Sequence, residues 1–298
     1  MTQEELGILF DRYRAMTERE LLRLFAVEGQ SIYPKLREAM FYSLEAGGKR
    51  LRPCLVLAVC DMLGGDVLKA LPFACALEMI HTYSLIHDDM PGMDNDDLRR
   101  GRPSNHKVFG EGIALLAGDS LLSFACEVML ESVSRSGKSN MLRAANEIVR
   151  LSGASGMLTG QASDKENEQC ALPSESMLRY IHRHKTADML EAAVIAGAYA
   201  ADADGNVINI LRRYSDKMGM LFQITDDLLD VTGETGKMGK TLGKDFAEGK
   251  LTFVTLYGVD AAREMAERTA EEAKSTLSEL PGSEVLDAVI DNMLSRSK

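Results

Sequence analysis

Eight aspartates stand in two short runs, Asp88-Asp89-Met-Pro-Gly-Met-Asp94-Asn95-Asp96-Asp97 and Asp226-Asp227-Leu-Leu-Asp230. Asp226 and Asp230 are one helical turn apart, and like charges at that spacing destabilise a helix by a few tenths of a kcal/mol. A divalent cation removes the repulsion. Carboxylate oxygens without His or Cys suit a hard ion, and Mg²⁺ takes a few carboxylates and fills its shell with water and phosphate oxygens. Pro91-Gly92 should break a helix after Asp89 and let the chain return Asp94 to the ion held by Asp88. An acidic run can also be a solvated loop, which is a fair reading of residues 94–97 alone. The apolar flanks of Asp88-Asp89 and of Asp226 to Asp230 argue against it there. An EF-hand is excluded: a loop begun at Asp94 has Arg99 where its glycine belongs and Asn105 where its final glutamate belongs.

Cations accompany these clusters. Gly47-Gly48-Lys49-Arg50-Leu51-Arg52-Pro53 follows a glycine break, Arg99-Arg100-Gly101-Arg102 follows the first cluster, Lys185-Thr186 lies in HRHKTADM, and Lys240 and Lys250 lie in a glycine-rich stretch. Arginine forks match phosphate oxygens and lysines add point charge. Residues 233–241 imitate a nucleotide-binding P-loop, but Glu234 stands where its first glycine belongs and no strand precedes it. Carboxylates that hold Mg²⁺, surrounded by cations, read as a site for a diphosphate.

The elements that must position these residues read as helices. The chain has 298 residues and seven Pro, with long runs rich in Ala, Leu, Met and Glu. Gly47-Gly48, Gly64-Gly65, Pro91-Gly92 and Ser136-Gly137 each end an apolar periodic run. Residues 70–87 are apolar nearly all round, as in a helix enclosed by others. The polar exceptions Glu78, His81, Ser84 and Asp88 form one stripe. Residues 218–231 repeat the pattern with Gln223, Asp226, Asp227 and Asp230. Two polar stripes on central helices suggest a polar cavity between them, since burying such groups unpaired is costly. The charged, non-periodic segment 163–173 reads as a surface loop and 233–249 as a mobile one. The expectation is a single all-α domain over residues 1–298, a large bundle of ten or more helices around a central cavity.

With 34 Lys and Arg against 45 Asp and Glu, the net charge of −11 argues against a nucleic-acid binder. The five Cys are odd in number and form no CxxC pair, which fits free thiols in a reducing compartment. The N-terminal stretch lacks the features of a signal peptide, and no run approaches 18 uncharged apolar residues. These features are read as a cytoplasmic protein without a membrane span.

The segments GGKRLRP (47–53), HTYSLIHDDMPGMDNDDLRRGRPSNHKVFGE (81–111), LAGDSLL (116–122), Gly160-Gln161 with Asp164, IHRHKT (181–186) and FQITDDLLD (222–230) resemble, in order, the trans-isoprenyl diphosphate synthase family, in particular its bacterial and plastid short-chain enzymes. The similarity covers roughly residues 40–255. It implies Mg²⁺-dependent head-to-tail condensation of isopentenyl diphosphate with dimethylallyl and geranyl diphosphate, three ions with the bound diphosphate, and a homodimer. By this resemblance Asp88 and Asp94, with Asp226 and more loosely Asp89, Asp227 and Asp230, are metal ligands. Arg99, Lys185, Thr186, Gln223 and Lys240 are further contacts of the allylic diphosphate, with Lys250 also in the substrate site. Lys49, Arg52, His81 and Arg100 form the isopentenyl diphosphate pocket.

Tyr83, above Ser84, stands five residues before Asp88, roughly 7–8 Å down a helix. The same resemblance makes this aromatic a floor that limits the product to fifteen carbons, as in a bacterial farnesyl diphosphate synthase; a twenty-carbon product is the alternative. A class I terpene cyclase fits less well, because position 230 is Asp where its second metal motif has Ser or Thr. The basic 47–53 segment also has no role in cyclisation. A regulatory subunit usually lacks one aspartate cluster, and both are intact here.

Overall fold

The computed structural model describes residues 1–26, 31–167, 174–232 and 252–295; Lys240, Lys250, Cys170 and the glycine-rich stretch lie outside them. The apolar runs between glycine breaks fold as helices: α1 (Gln3–Phe25), α2 (Pro34–Glu45), α3 (Leu51–Met62), α4 (Val67–Asp88), α5 (Asn105–Phe109), α6 (Glu111–Ser136) and α7 (Ser139–Ser152). They continue with α8 (Met157–Asn167), α9 (Glu175–Ile181), a π-turn (His182–Ala187), α10 (Asp188–Ala200), α11 (Gly205–Thr232), α12 (Phe253–Tyr257), α13 (Val259–Leu277) and α14 (Glu284–Ser295). This is the all-α architecture the sequence implied.

The centre is made by helices that are apolar on every side. Residues Pro53 to Cys60 of α3 are all buried, as is nearly all of α10 and most of α4. α3 packs on α4 and α10, α4 on α6, and α11 on α10 and α13. Caps set the ends: Thr2 and Glu5 form a capping box on α1, Asp66 accepts from the Leu68 N–H at 3.0 Å to start α4, and left-handed Gly137 closes α6.

Three features depart from the sequence reading. Residues 163–167, read as loop, continue α8. Asp164 and Lys165 turn onto charges of the site described below, while Glu166 stays exposed. A short hairpin, β1 (Leu98–Arg99) with β2 (Arg102–Pro103), interrupts the helices. Arg100 (φ 54°) and Gly101 (φ 74°) supply the positive dihedrals a two-residue turn needs. Finally, α6 is long and apolar enough to cross a bilayer by length and composition. It packs on α4, α2, α5 and α7, and an apolar helix of a bundle passes the same test.

Candidate active site

α4 runs enclosed to Asp88 and stops, and Pro91-Gly92 turns the chain back. The Asp94 N–H donates to the Asp88 carbonyl at 2.8 Å, and Asn95, left-handed at φ 51°, donates to the Met90 carbonyl at 3.1 Å. The return of Asp94 to Asp88 is therefore built into the backbone. The Asp88 carboxylate accepts from Gln161 Nε2 at 2.9 Å. Burial pushes its pKa up to about 6; Asp94 and Asp89 push the same way, against Lys185 and Arg99. Asp89 is buried and its carboxylate faces Arg99, whose Nε donates at 2.9 Å.

The hairpin places its two arginines on opposite tasks. Arg99 holds Asp89, while the Arg100 guanidinium donates to the Gly47 carbonyl and so ties the hairpin to the basic 47–53 segment. His81 lies within reach of the charges of Arg52, Arg100, Arg50 and Arg99. Burial first, and those cations second, hold its pKa well below the usual imidazole value. Arg52, His81 and Arg100 thus form one basic corner, with Lys49 exposed on the same segment. Ser84, one turn along α4, donates to the His81 carbonyl at 2.9 Å. Arg50 goes elsewhere. It caps α3 in a left-handed conformation, is 4% exposed, and pairs with buried Glu78 at 2.6 Å.

α8 joins the parts. Gln161 holds Asp88, Lys165 pairs with Asp94 at 2.6 Å, and Asp164 pairs with Lys185 at 2.5 Å. Lys185 and Thr186 sit on the π-turn, a form that recurs at functional sites. It is wedged between two helices at close approach. A Cβ on Gly160 of α8 would lie 2.1 Å from the Lys185 nitrogen, and one on Gly219 of α11 would lie 2.3 Å from the Ala187 Cβ.

On α11, Asp226 is exposed, Asp230 half-buried and Asp227 buried, with the Asp227 Oδ2 accepting from the Phe253 N–H at 2.8 Å. Gln223 Nε2 donates to His182 Nδ1 at 2.9 Å. The clusters are linked through α8 and the π-turn. Four groups of the site had no role in the sequence reading: Gln161 and Asp164 were quoted only for the resemblance, Lys165 sat in an apparent loop, and His182 had no partner at metal-ligand spacing.

Among the described residues no three carboxylate, imidazole or thiol groups converge into a ready metal cage. The donor chemistry nevertheless fits a hard divalent ion. Asp88 is a half-buried carboxylate set against Asp94 and Asp89, a like-charge arrangement that a cation relieves. The protein's own cations, Lys165 and Arg99, meet these carboxylates in the structure.

The sequence profile of the polyprenyl synthetase family matches residues 33–288. The chloroplastic geranylgeranyl pyrophosphate synthase of Catharanthus roseus is 47% identical over 245 residues, 82% of this chain and 69% of that protein. Among solved structures, an FPP/GFPP synthase from Zymomonas mobilis superposes with a TM-score of 0.87 at 32% identity, over 98% of this chain and all of that one. A geranyltransferase from Helicobacter pylori, complexed with magnesium and isoprenyl diphosphate, gives 0.81 at 32% identity over 96% of each chain. The helical architecture, the two aspartate clusters and these matches together place the chain in the polyprenyl synthetase family.

Proposed function

We propose that the protein is a short-chain prenyltransferase that joins isopentenyl diphosphate head-to-tail to dimethylallyl and then geranyl diphosphate, giving farnesyl diphosphate. One observation carries this reading. The aspartate-bearing end of α4 and a separate basic corner of Arg52, His81 and Arg100 stand side by side, tied by the hairpin. Two such adjacent anion sites suit two diphosphate substrates, where a cyclase needs one.

Asp88, Asp94 and Asp226, with Asp89, Asp227 and Asp230 behind them, would hold Mg²⁺, three ions with a bound diphosphate. When bound, the ions screen the diphosphate charge as the allylic C–O bond breaks. Lys185, Thr186, Arg99 and Gln223, joined by Lys240, receive the oxygens whose charge grows in that step, where preorganised cations stabilise most. The basic corner orients isopentenyl diphosphate so that its double bond meets the allylic carbon at near-attack distance. The released diphosphate is then the base at hand for the proton lost from the new carbocation. Incubating the protein with Mg²⁺, labelled isopentenyl diphosphate and dimethylallyl diphosphate should release a linear prenyl diphosphate. No product with both substrates present would point instead to a regulatory subunit and end the enzymatic reading.

Tyr83 supports fifteen carbons. It is 4% exposed, and its hydroxyl is buried without a hydrogen bond to any described residue. Burial and Asp88 raise its pKa to about 12, so it stays a neutral, bulky ring. Tyr83→Ala should shift the product beyond fifteen carbons, read by chromatography of the dephosphorylated alcohols. An unchanged product would discard the floor. A twenty-carbon wild-type product is a second reading, favoured by the Catharanthus roseus relative, and the same assay on the native protein decides it.

The wedge around the π-turn gives a further expectation. Gly160→Ala should push Lys185 aside and lower kcat by about 100-fold, as a misplacement near 1 Å can do, with the far-UV spectrum retained. Exposed Val108, Leu115, Leu116 and Leu130, on α5 and α6, support pairing into a homodimer, which light scattering would show as twice the chain mass.

A further inference from the structure

His182 opens the π-turn, and its ring is committed on three sides. One face stacks on Phe253 with centroids 5.3 Å apart at 18°. Nδ1 lies 2.9 Å from the Gln223 amide nitrogen. An amide nitrogen only donates, so Nδ1 accepts and the ring proton of a neutral imidazole must sit on Nε2. Nε2 is buried with no hydrogen-bond partner among the described residues, and Asp227 Oδ2 lies 3.7 Å away. That distance is too long for a hydrogen bond, and a buried donor left unmade is costly. The same Oδ2 already accepts from the Phe253 N–H.

We propose that His182 is a positioning residue for the second aspartate cluster, its imidazole bridging the Gln223 amide and the Asp227 carboxylate through an Nε2–H bond that closes when the site is loaded. A shift of well under 1 Å completes the bond. With it, one ring ties the π-turn that presents Lys185 to the helix that presents Asp226, Asp227 and Asp230. The two halves of the diphosphate grip then move together. Groups behind metal ligands typically change metal affinity or activity 10- to 100-fold when removed. The inference rests on reading Asp227 as part of the metal-binding cluster.

The test has two arms. Long-range ¹H–¹⁵N spectra of histidine-labelled protein, with His182 assigned from the signal lost in His182→Gln, should show the proton on Nε2. A proton on Nδ1 would overturn the bridge, because Gln223 could not then donate to that nitrogen. Mn²⁺ binding in the presence of inorganic diphosphate, followed by electron paramagnetic resonance, supplies the second arm. His182→Phe keeps the stacking ring and removes both polar contacts. It should weaken Mn²⁺ binding 10- to 100-fold and lower kcat, with the KM for isopentenyl diphosphate unchanged. His182→Gln, which can still donate to Asp227, should recover part of the loss. Native Mn²⁺ affinity in His182→Phe would overturn the proposal, while a wild-type protein that binds no Mn²⁺ would sink the metal reading of the cluster itself. Should His182→Phe not fold, the proton position and the partial affinity of His182→Gln decide.

Discussion

Replacing Asp88 by asparagine is expected to lower kcat about 1,000-fold, the upper range for losing one preorganised electrostatic group, while the metal-free protein melts at the same temperature or higher. The split follows from the environment of the side chain. Asparagine has the same shape, and its carbonyl oxygen can still accept from Gln161, which donates to Asp88 at 2.9 Å. It lacks the charge. In the metal-free protein that charge is a liability, since burial and the neighbours Asp94 and Asp89 raise the Asp88 pKa to about 6. A group that costs stability in the empty site and is required in the loaded one marks a functional position. Steady-state kinetics at saturating Mg²⁺ and a thermal melt without metal measure both sides. A variant that retains a tenth of native turnover would remove Asp88 from the machinery.

Arg50→Met should be the most destabilising single change in the 47–53 segment. Arg50 and Glu78 are each 2% exposed at the side chain and meet at 2.6 Å, and Arg50 also donates to the Leu44 carbonyl. Removing one partner of a buried pair leaves an uncompensated charge and typically costs about 3–5 kcal/mol. For a chain of this size that lowers the melting midpoint by roughly 6–12 °C. Adding Glu78→Leu to Arg50→Met should restore much of the loss, because an apolar pair of similar volume in place of a buried ion pair is often neutral. If Arg50→Met melts with the native protein, the pair does not hold this corner. Restoration of the midpoint without restoration of the KM for isopentenyl diphosphate would show that Arg50 also sets the bearing of Arg52.

Arg50 also shows where sequence reasoning stops. Lys49, Arg50 and Arg52 look alike as three cations after a glycine pair. Arg50 turns inward because its backbone is left-handed at φ 48°, a state that side chains other than glycine seldom adopt and that periodicity does not encode. The return of Asp94 was legible because Pro91-Gly92 is a strong local break. The stripe of Glu78, His81, Ser84 and Asp88 was legible because it stands out on an otherwise apolar helix. Lys165 was not, because a charged run looks the same whether its partner is water or Asp94 at 2.6 Å. The π-turn was invisible for another reason: one extra residue in six leaves no period to detect, yet it sets the directions of both His182 and Lys185. The twofold use of α8, gripping Asp88 and Asp94 on one side and Lys185 on the other, is a tertiary fact that appears only once the helices are packed.

The first aspartate cluster stands at the carboxyl end of a long helix, Asp88 being the last residue of α4 and Asp89 its C-cap. The peptide dipoles of the helix sum to about half a negative charge at that end. The side chains therefore add formal charge where the backbone has already placed a negative pole. The macrodipole of α4 is not relieved by these carboxylates but made worse. A cation arriving there discharges both the side chains and the pole behind them, so part of its binding free energy is returned to the helix itself. With the proposed ion bound there, occupancy and thermal resistance would be two readings of one quantity.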